Sequence, residues 1–330
     1  MKAFIITAIL CLTGMVINAQ NSIALQTKGS TVFYQVLDSA INHALDGDTL
    51  YLSGGVFGVS GTLNKRLHLV GVGHHPDSTK STSSTNLLSG LKLGSRAASG
   101  SITGINMGNN YISIQGSLDN YIISRCKLSI ESSTNTVSNL LCIENVLKNI
   151  AINGNNNIFY NNIIEANNAS FGTSNTLKNN IFLGNYFLSG GGGAINYSLF
   201  ENNIFLDNYN NSISGSIFFN SFKNNLFFRT TNLGSSNFGI GNLVNQPQSS
   251  VFINQTGNTF DYAHDYHINP DSPAKNTGTD GTDIGIYGGP FPWKEGSVPF
   301  NPHIQSLIID SKTDKDGNLN VKIKVQAQEH

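Results

Sequence analysis

The side chains best suited to chemistry lie in one short segment near the carboxyl end, where His264, Asp265 and His267 stand close together. In an extended strand, Asp265 and His267 point to one face of the sheet and His264 points to the other. A carboxylate beside an imidazole forms a general acid–base pair, which a glycoside hydrolase or a polysaccharide lyase needs. The same residues would also fit as hydrogen-bonded polar groups of a final strand, and the sequence leaves both interpretations open.

A second candidate group is basic. Arg125 and Lys127 flank Cys126 and share a face if this segment is extended. A lyase needs a base near C5 of its sugar and a cation to neutralise the uronate, a task that Ca²⁺ often performs. Arg125 and Lys127 could serve as base and uronate clamp, or they could be ordinary surface charges.

Two further motifs resemble metal ligands only in part. His74 and His75 are adjacent in a turn, but no third and fourth ligand follows at a recognisable spacing. The segment Asp314–Asn318 resembles part of an EF-hand loop, yet Lys312 and Ile323 occupy the first and last ligand positions of that loop. The sequence therefore predicts no metal and no other cofactor; Ca²⁺ would suit a lyase, but no motif supports it.

Charge and hydropathy exclude several classes of partner. The 330 residues carry a net charge of −1, and 12% of them are charged. Because there is no basic excess, we predict neither nucleic acid nor an acidic membrane surface as a partner. No segment after residue 19 is apolar over the roughly 20 residues that a membrane-spanning helix needs.

The candidate side chains must be positioned by a short repeat in the middle of the chain. Each copy places an Asn pair between apolar residues, without the spacing of an amphipathic helix. The copies are Phe159–Ile164, Leu177–Phe182, Phe200–Phe205 and Phe222–Phe227, and their second Asn recurs after 18, 23 and 22 residues. A unit this short cannot bury its own apolar face. We predict that it stacks on its copies as the coils of a solenoid, about 4.8 Å apart.

The recurring Asn suggests a ladder of hydrogen bonds along the stack. An Asn side chain can both donate and accept, and Asn tolerates the left-handed backbone of a sharp bend. We expect one Asn of each pair to point inward, and the sequence does not say which one. The predicted structural ladder comprises Asn145, Asn162, Asn180, Asn203 and Asn225.

This arrangement resembles the right-handed, single-stranded parallel β-helix of the pectin-lyase-like superfamily, over residues 30–290. The opening is similar as well, because an amphipathic helix at Val32–Leu45 precedes the strand Asp48–Leu52. The segments Asn269–Gly278 and Asp280–Pro290 resemble the last coil of such proteins. The resemblance implies an all-β solenoid in which a helix near residues 32–45 caps the first coil.

Residues 237–290 are expected to close the stack, with late strands at Val251–Ile253 and Tyr266–Ile268. The resemblance is unspecific for function, because lyases, hydrolases and adhesins share this architecture. The chain lacks the Asp-Asp pair and Gly-His-Gly of polygalacturonase-like hydrolases and the Arg-x-Pro-x-x-Arg and Asp-His signatures of pectate lyases. The carboxylates of the central coils are Glu131, Glu144, Glu165, Glu201 and Asp207.

Three regions are expected. Residues 1–19 read as a secretory signal peptide, because a basic head precedes an apolar run and a small residue stands at the cut. Residues 20–290 form the β-helix with its capping helix. Residues 291–330 form a Pro-rich linker and a C-terminal β-hairpin with Asp316-Gly317 at its turn. The hairpin would either dock on the stack or begin a further sandwich module.

Local features fill in this outline. The Ser-, Thr- and Gly-rich residues 78–100 are expected to form an excursion, and Gly190–Gly193 a loop that lengthens one coil. Cys126 and Cys142 either point inward as small apolar side chains or form a disulfide, which an oxidising compartment permits.

Taken together, these features predict a secreted, extracellular or cell-surface β-helix protein that is non-catalytic and associated with a polysaccharide or a cell-surface glycan. The alternative is a polysaccharide lyase or glycoside hydrolase with a non-standard site. The sequence decides neither whether the protein is an enzyme nor its oligomeric state.

Overall fold

The computed structural model describes residues 21–166, 169–184, 195–206 and 217–327. Over these residues the chain forms a parallel β-solenoid of about 8 turns, which confirms the predicted class of fold. The predicted signal peptide (residues 1–19), Gly190–Gly193 and Asp207 lie outside the described residues. No helix in the described ranges has the length and apolar character needed to cross a bilayer.

Two long sheets of 12 strands each form the walls of the solenoid. In spatial order, sheet 1 consists of Ser30–Tyr34, Ile23–Thr27, Thr49–Leu52, His68–Val70, Ser101–Thr103, Ile122–Ser124, Leu141–Ile143, Ile158–Tyr160, Thr176–Lys178, Leu199–Glu201, Ser221–Lys223 and Phe238–Ile240. Sheet 2 consists of Leu226–Phe227, Ile204–Phe205, Ile181–Phe182, Ile163–Ile164, Val146–Asn155, Lys127–Ser138, Asn106–Ile114, Thr85–Leu87 and Gly55–Phe57, with Leu118–Asp119, Thr62–Leu63 and Leu91–Leu93 beside this path.

Smaller elements complete the described chain. Two helices are Leu37–His43 and Gln248–Val251, and two short 3₁₀ turns are Ser95–Ala97 and Glu295–Ser297. The remaining strands form three pairs: Ile195–Asn196 with Ile217–Phe218, Phe252–Asn254 with Asp265–Ile268, and His303–Ile309 with Val321–Gln326.

The apolar side chains of the repeat meet in register inside the solenoid. Phe159, Leu177, Phe200 and Phe222 occupy equivalent places in successive strands of sheet 1. All of them are fully buried, and the rings of Phe200 and Phe222 stack with centroids 4.6 Å apart. Burying a side chain of this size stabilises the fold by about 1.5–3 kcal/mol. The coils are therefore held together by apolar rungs that repeat along the stack.

An asparagine ladder follows the bend between the two sheets. Asn180 Nδ2 donates to Asn203 Oδ1 at 3.0 Å, and Asn180 Oδ1 accepts from Asn162 Nδ2 at 3.0 Å. Equivalent bonds join Asn145 to Asn162 and Asn203 to Asn225. The inward side chain is the second Asn of each pair, and all of these amides are buried.

A second ladder, absent from the sequence-based expectations, lies at the preceding bend. The Asn157 backbone N–H donates to Asn175 Oδ1 at 2.8 Å, and Asn220 Nδ2 donates to Asn237 Oδ1 at 3.1 Å. Ser198 replaces Asn in the intervening coil and accepts from the Asn175 N–H at 3.1 Å. Two columns of polar side chains thus satisfy backbone groups at two corners of the stack.

The amino-terminal cap differs from the helix expected near residues 32–45. The helix is Leu37–His43, whereas Ser30–Tyr34 is a strand that pairs antiparallel with Ile23–Thr27. The β-branched and aromatic residues of Ser30–Tyr34, such as the exposed Phe33, favour a strand, and this hairpin extends the edge of sheet 1. Helix and hairpin therefore share the capping of the first coil.

The largest departure concerns the segment that follows the last strand of sheet 1, Phe238–Ile240. Residues 244–300, which we call the strap, run back along the outside of the stack. The expected late strands are an antiparallel pair within the strap, Phe252–Asn254 with Asp265–Ile268. The strap lies beside the stack and does not close it as a last coil. The physical reason is that sheet 2 carries apolar side chains on its outer face, and the strap buries them.

Hydrogen bonds and apolar packing dock the strap. The first Asn of each pair has a left-handed backbone, with φ of 54° at Asn161 and 47° at Asn224. Asn224 Nδ2 donates to Thr277 O at 2.9 Å, and Asn161 Nδ2 donates to Gly288 O at 2.8 Å. The strap therefore runs toward earlier coils as its numbering rises. The apolar cluster between sheet 2 and the strap contains Ile163, Ile181, Ile204, Leu226, Val251, Phe252, Ala274 and Ile284.

The structure also tests the predictions for residues 78–100, for the two cysteines and for the C-terminal segment. Residues 78–100 are not a simple excursion, because Thr85–Leu87 and Leu91–Leu93 belong to sheet 2. Cys126 and Cys142 are buried free thiols, not a disulfide. The C-terminal hairpin is present, with largely exposed side chains. The Pro-rich segment before it is docked, since Val298 is buried.

Candidate functional site

The strap places one candidate side chain, His264, in a narrow cleft on the side of the solenoid, and Asp265 and His267 lie beside it. This strap cleft has a volume of about 60 Å³. The strand Asp265–Ile268 and the segment from Tyr287 to Glu295 form two of its walls. Its lining combines aromatic rings with titratable groups: His75, Phe260, Asp261, Tyr262, His264, Tyr266, Tyr287, Trp293 and Glu295.

Asp265 and His267 form a close pair on one face of their strand, beside the cleft. Asp265 Oδ1 lies 2.7 Å from His267 Nδ1 and also accepts from the His267 backbone N–H at 2.9 Å. The His267 ring stacks on Tyr287 with centroids 3.9 Å apart. His267 Nε2 is 3.7 Å from Glu295 Oε1, which accepts from the Tyr287 hydroxyl at 2.6 Å. Two carboxylates and a phenol thus surround one imidazole.

These contacts favour the ionised form of Asp265. Partial burial raises the pKa of its carboxyl, but hydrogen bonds from the His267 backbone and imidazole lower it by more, so the net shift is downward. A general acid for glycoside cleavage needs a raised pKa. Asp265 is therefore suited to orienting His267 and not to donating a proton.

His264 immediately precedes the strand Asp265–Ile268 and lines the cleft. Its Nδ1 is 3.4 Å from the hydroxyl of the buried Tyr266. The Tyr266 ring stacks in turn on Phe260, with centroids 6.0 Å apart. His264 is therefore held at the cleft by aromatic neighbours.

Lys127 contacts the outer side of the same aromatic group. Its ammonium lies 4.7 Å from the centroid of Tyr262 and 5.4 Å from that of Phe260. Burial lowers the pKa of Lys127, and the nearby Lys148 lowers it further. Cation–π contacts of this kind contribute about 0.5–2 kcal/mol. Lys127 thus fastens the strap to sheet 2, and it would have to leave these rings to clamp a uronate.

Two strap contacts that sequence reasoning missed hold Phe260 and Tyr262 in place. Glu165 pairs with Lys148 and accepts from the Phe260 backbone N–H. His74 Nδ1 lies 3.0 Å from the Tyr262 hydroxyl. These strap contacts join residues 95 and 188 positions apart, so no local motif could reveal them. The closely spaced aromatic residues from Phe260 onward were the only feature of the sequence that could indicate these contacts.

Arg125 is placed elsewhere. Its side chain is 1% exposed, and its Nε lies 3.2 Å from Glu144 Oε2. The guanidinium covers the Phe300 ring at 3.7 Å and donates to Val298 O. Arg125 therefore anchors the end of the strap and is not brought together with Lys127 at the cleft.

The described residues contain no group of three or more His, Cys, Asp or Glu side chains placed to hold a metal ion. His74 is buried against Tyr262. The Asp314 carboxylate accepts from the backbone N–H groups of Asp316 and Asn318 at 2.9 and 2.8 Å, as the turn of a hairpin does.

No model of a known protein family matches this chain, and no curated protein matches it either. The strap cleft and the walls of the solenoid are therefore what indicate a function.

Proposed function

We propose that this chain is a secreted, non-catalytic protein that binds a polysaccharide or a cell-surface glycan, and that the glycan contacts the strap cleft. The observation that carries the proposal is the lining of that cleft. Aromatic rings such as Tyr262, Tyr287 and Trp293 converge there with the polar groups of His264 and Glu295.

A sugar ring matches this chemistry. Its carbon–hydrogen faces are apolar and its edges carry hydroxyl groups, so aromatic rings with polar neighbours can contact both. A volume of about 60 Å³ is small beside the roughly 300–1,000 Å³ of a pocket that encloses a whole ligand. The cleft therefore suits contact with one edge of a sugar chain that continues across the surface.

The pairing of the titratable groups supports a binding role over catalysis. Asp265 is engaged by His267, and the Tyr287 hydroxyl donates to Glu295. The downward shift in the pKa of Asp265, which hydrogen bonds produce against the effect of burial, disfavours a general acid. Groups that are hydrogen-bonded to one another in this way hold a binding surface in shape.

A lyase or glycoside hydrolase is the second candidate function, and one observation favours it. The line from Asp265 through His267 to Glu295, with gaps of 2.7 and 3.7 Å, is a possible acid–base relay. Incubation with neutral and uronate polymers, followed by assays for reducing ends and unsaturated uronates, tests it. Product formation that His267→Ala abolishes would replace the binding proposal.

The proposal includes right-handed winding, membership of the pectin-lyase-like superfamily, and secretion. General support for the winding comes from the strong preference of parallel crossovers for the right hand. The superfamily is supported by the asparagine ladder at the bend between the two sheets. Secretion is supported by the basic and apolar start of the chain. Amino-terminal sequencing of exported protein should find Gln20 first.

The single tryptophan of the chain offers a direct test, because Trp293 lies in the cleft lining. We expect the fluorescence of Trp293 to shift when a bound polysaccharide is titrated in. Glu295→Gln, which preserves the shape of the side chain, and Tyr287→Ala should each raise the dissociation constant about tenfold. This corresponds to a loss of about 1.4 kcal/mol in binding free energy.

Tyr197→Ala provides the matched control, since Tyr197 is exposed and outside the cleft lining. This variant should bind as the parent does. Circular dichroism of each variant would verify its fold. Saturable glycan binding without any change in Trp293 fluorescence, or with full affinity in both cleft variants, would rule out the strap cleft.

A further inference from the structure

A second depression, larger than the strap cleft, lies on sheet 2. This polar groove has a volume of about 410 Å³. It is formed mainly by the three longest strands of the described chain, Asn106–Ile114, Lys127–Ser138 and Val146–Asn155. Its lining residues are Ser113, Ile114, Gln115, Glu131, Ser132, Asn135, Ala151, Ile152, Asn153 and Ser170.

Parallel stacking places the floor of the groove in a column. Ser113 pairs with Glu131, Glu131 with Ala151, and Ala151 with Ser170. Successive members are separated by one coil, about 4.8 Å. The small Ala151 beside Glu131 leaves the space that the groove occupies.

A β-bulge forms one wall of the groove. The register between the strands that carry Glu131 and Ala151 shifts between Glu131 and Thr136. Asn135 lies in this bulge, and its Nδ2 donates to Ile114 O at 3.0 Å. Bulges redirect side chains and are frequent beside functional sites. Here the bulge turns a flat sheet face into a depression.

The polar atoms of the groove suit hydroxyl groups. Glu131 Oε1 accepts from Ser113 Oγ at 2.8 Å, and no hydrogen bond from a described residue reaches Glu131 Oε2. The amides of Gln115 and Asn153 add groups that both donate and accept. No lining residue is basic, and Glu131 carries the only formal charge among them. Lys92 precedes Ser113 in the same column but lies outside the lining. Beside Glu131 an anion would be repelled, whereas a neutral polyhydroxyl compound can donate to the carboxylate.

From this lining we infer that the polar groove is a second glycan subsite and that it selects uncharged sugar residues over uronates and other anionic ones. The class of ligand rests on the proposed function, but the groove does not depend on the strap cleft. Lys127 and Glu131 belong to one strand, about 13 Å apart at the rise of an extended chain. The two places are therefore near enough for one polysaccharide to reach both.

The test uses calorimetric titration of the chain from residue 20 onward with linear neutral hexasaccharides of glucose, xylose and mannose, and with a hexagalacturonate. We expect a neutral hexasaccharide to bind and hexagalacturonate to bind at least about tenfold more weakly. Ala151→Trp should abolish this binding by filling the groove. Glu131→Gln should weaken it about tenfold by removing a charged acceptor. Glu131→Lys should shift the preference toward hexagalacturonate.

Asp271→Asn is the matched carboxylate control, because Asp271 is exposed and lies outside the linings of both the polar groove and the strap cleft, so this variant should leave the neutral–acidic preference unchanged. Tighter binding of hexagalacturonate by the parent, or full affinity in folded Ala151→Trp and Glu131→Gln variants, would overturn the groove while leaving the strap cleft standing. Binding of none of these sugars, together with no fluorescence response to any polysaccharide, would overturn both.

Discussion

At the scale of single residues, the two asparagines of each repeat have different structural roles. The inward Asn162 is fully buried and bonds to the ladder residues of the coils on either side. Its neighbour Asn161 takes a left-handed backbone and donates to strap carbonyls. Asn suits both positions because it tolerates that backbone and carries a donor and an acceptor together.

Removal of one ladder residue should therefore be costly. Asn180 Oδ1 accepts from the backbone N–H of Asn162 at 2.9 Å, and Asn180 Nδ2 donates to Phe159 O at 2.9 Å. Asn180→Ala would leave these buried groups unpaired, at about 1–3 kcal/mol each. We expect urea unfolding to show a loss of about 3 kcal/mol.

Asn42→Ala is the control, since Asn42 is an exposed residue of the helix Leu37–His43. Alanine favours a helix, so this variant should be as stable as the parent or slightly more stable. Equal stability of the Asn180→Ala and Asn42→Ala variants would mean that the ladder contributes nothing measurable.

Spacing was enough to predict the first ladder and not the second. The paired Asn at Asn162 and Asn180 recurs within a fixed phrase. The second column is interrupted by Ser198 and lies in a part of the chain where Asn is common in turns. The sequence also gave no reason to single out Glu131, because its significance comes from Ala151 one coil away and from a bulge.

At the scale of elements, the strap is what the sequence could not reveal. Val251–Ile253 and Tyr266–Ile268 have the composition of strands, and strands overlap both segments. Composition does not specify a partner, however, and these strands pair with each other instead of with the next coil. The strap cleft exists only because the strap returns along sheet 2, so its lining could not be assembled from sequence spacing.

The contact between His74 and the strap predicts a pH dependence. Burial, which is the largest cause, together with the nearby Lys127 and His75 lowers the pKa of His74 to about 3. Below about pH 6.5 His74 binds a proton in the unfolded chain but stays neutral in the folded chain. The free energy of unfolding therefore falls as the pH falls toward 3. His74→Gln removes this titration. Between pH 7 and pH 5 the parent should lose about 2 kcal/mol more stability than this variant.

Urea unfolding of both proteins at the two pH values checks this prediction. His43→Gln is the control, because His43 lies exposed at the end of the first helix and its side chain contacts Ser39 O of that helix. It should keep the parental pH dependence. A parental pH dependence in the His74→Gln variant would show that the strap contact of His74 does not titrate as described.

At the scale of the whole molecule, the amino-terminal cap and the C-terminal hairpin were each predicted in outline. The first coil is covered by a helix and an antiparallel hairpin, so a cap was foreseen although its form was not. The C-terminal hairpin was foreseen from alternating residues around Asp316-Gly317. Its side chains are largely exposed, and an isolated hairpin is only marginally stable in water. Sequence pattern could identify the hairpin but not what it packs against.

The most direct test of a glycan-binding solenoid is hydrogen–deuterium exchange with and without the polysaccharide that shifts Trp293 fluorescence most. The strap cleft predicts slower exchange on binding in peptides covering residues 260–267 and 285–297, and the polar groove predicts the same for residues 113–115 and 131–135. Protection confined to sheet 1 or to the C-terminal hairpin, or no protection anywhere, would contradict the proposed mode of binding.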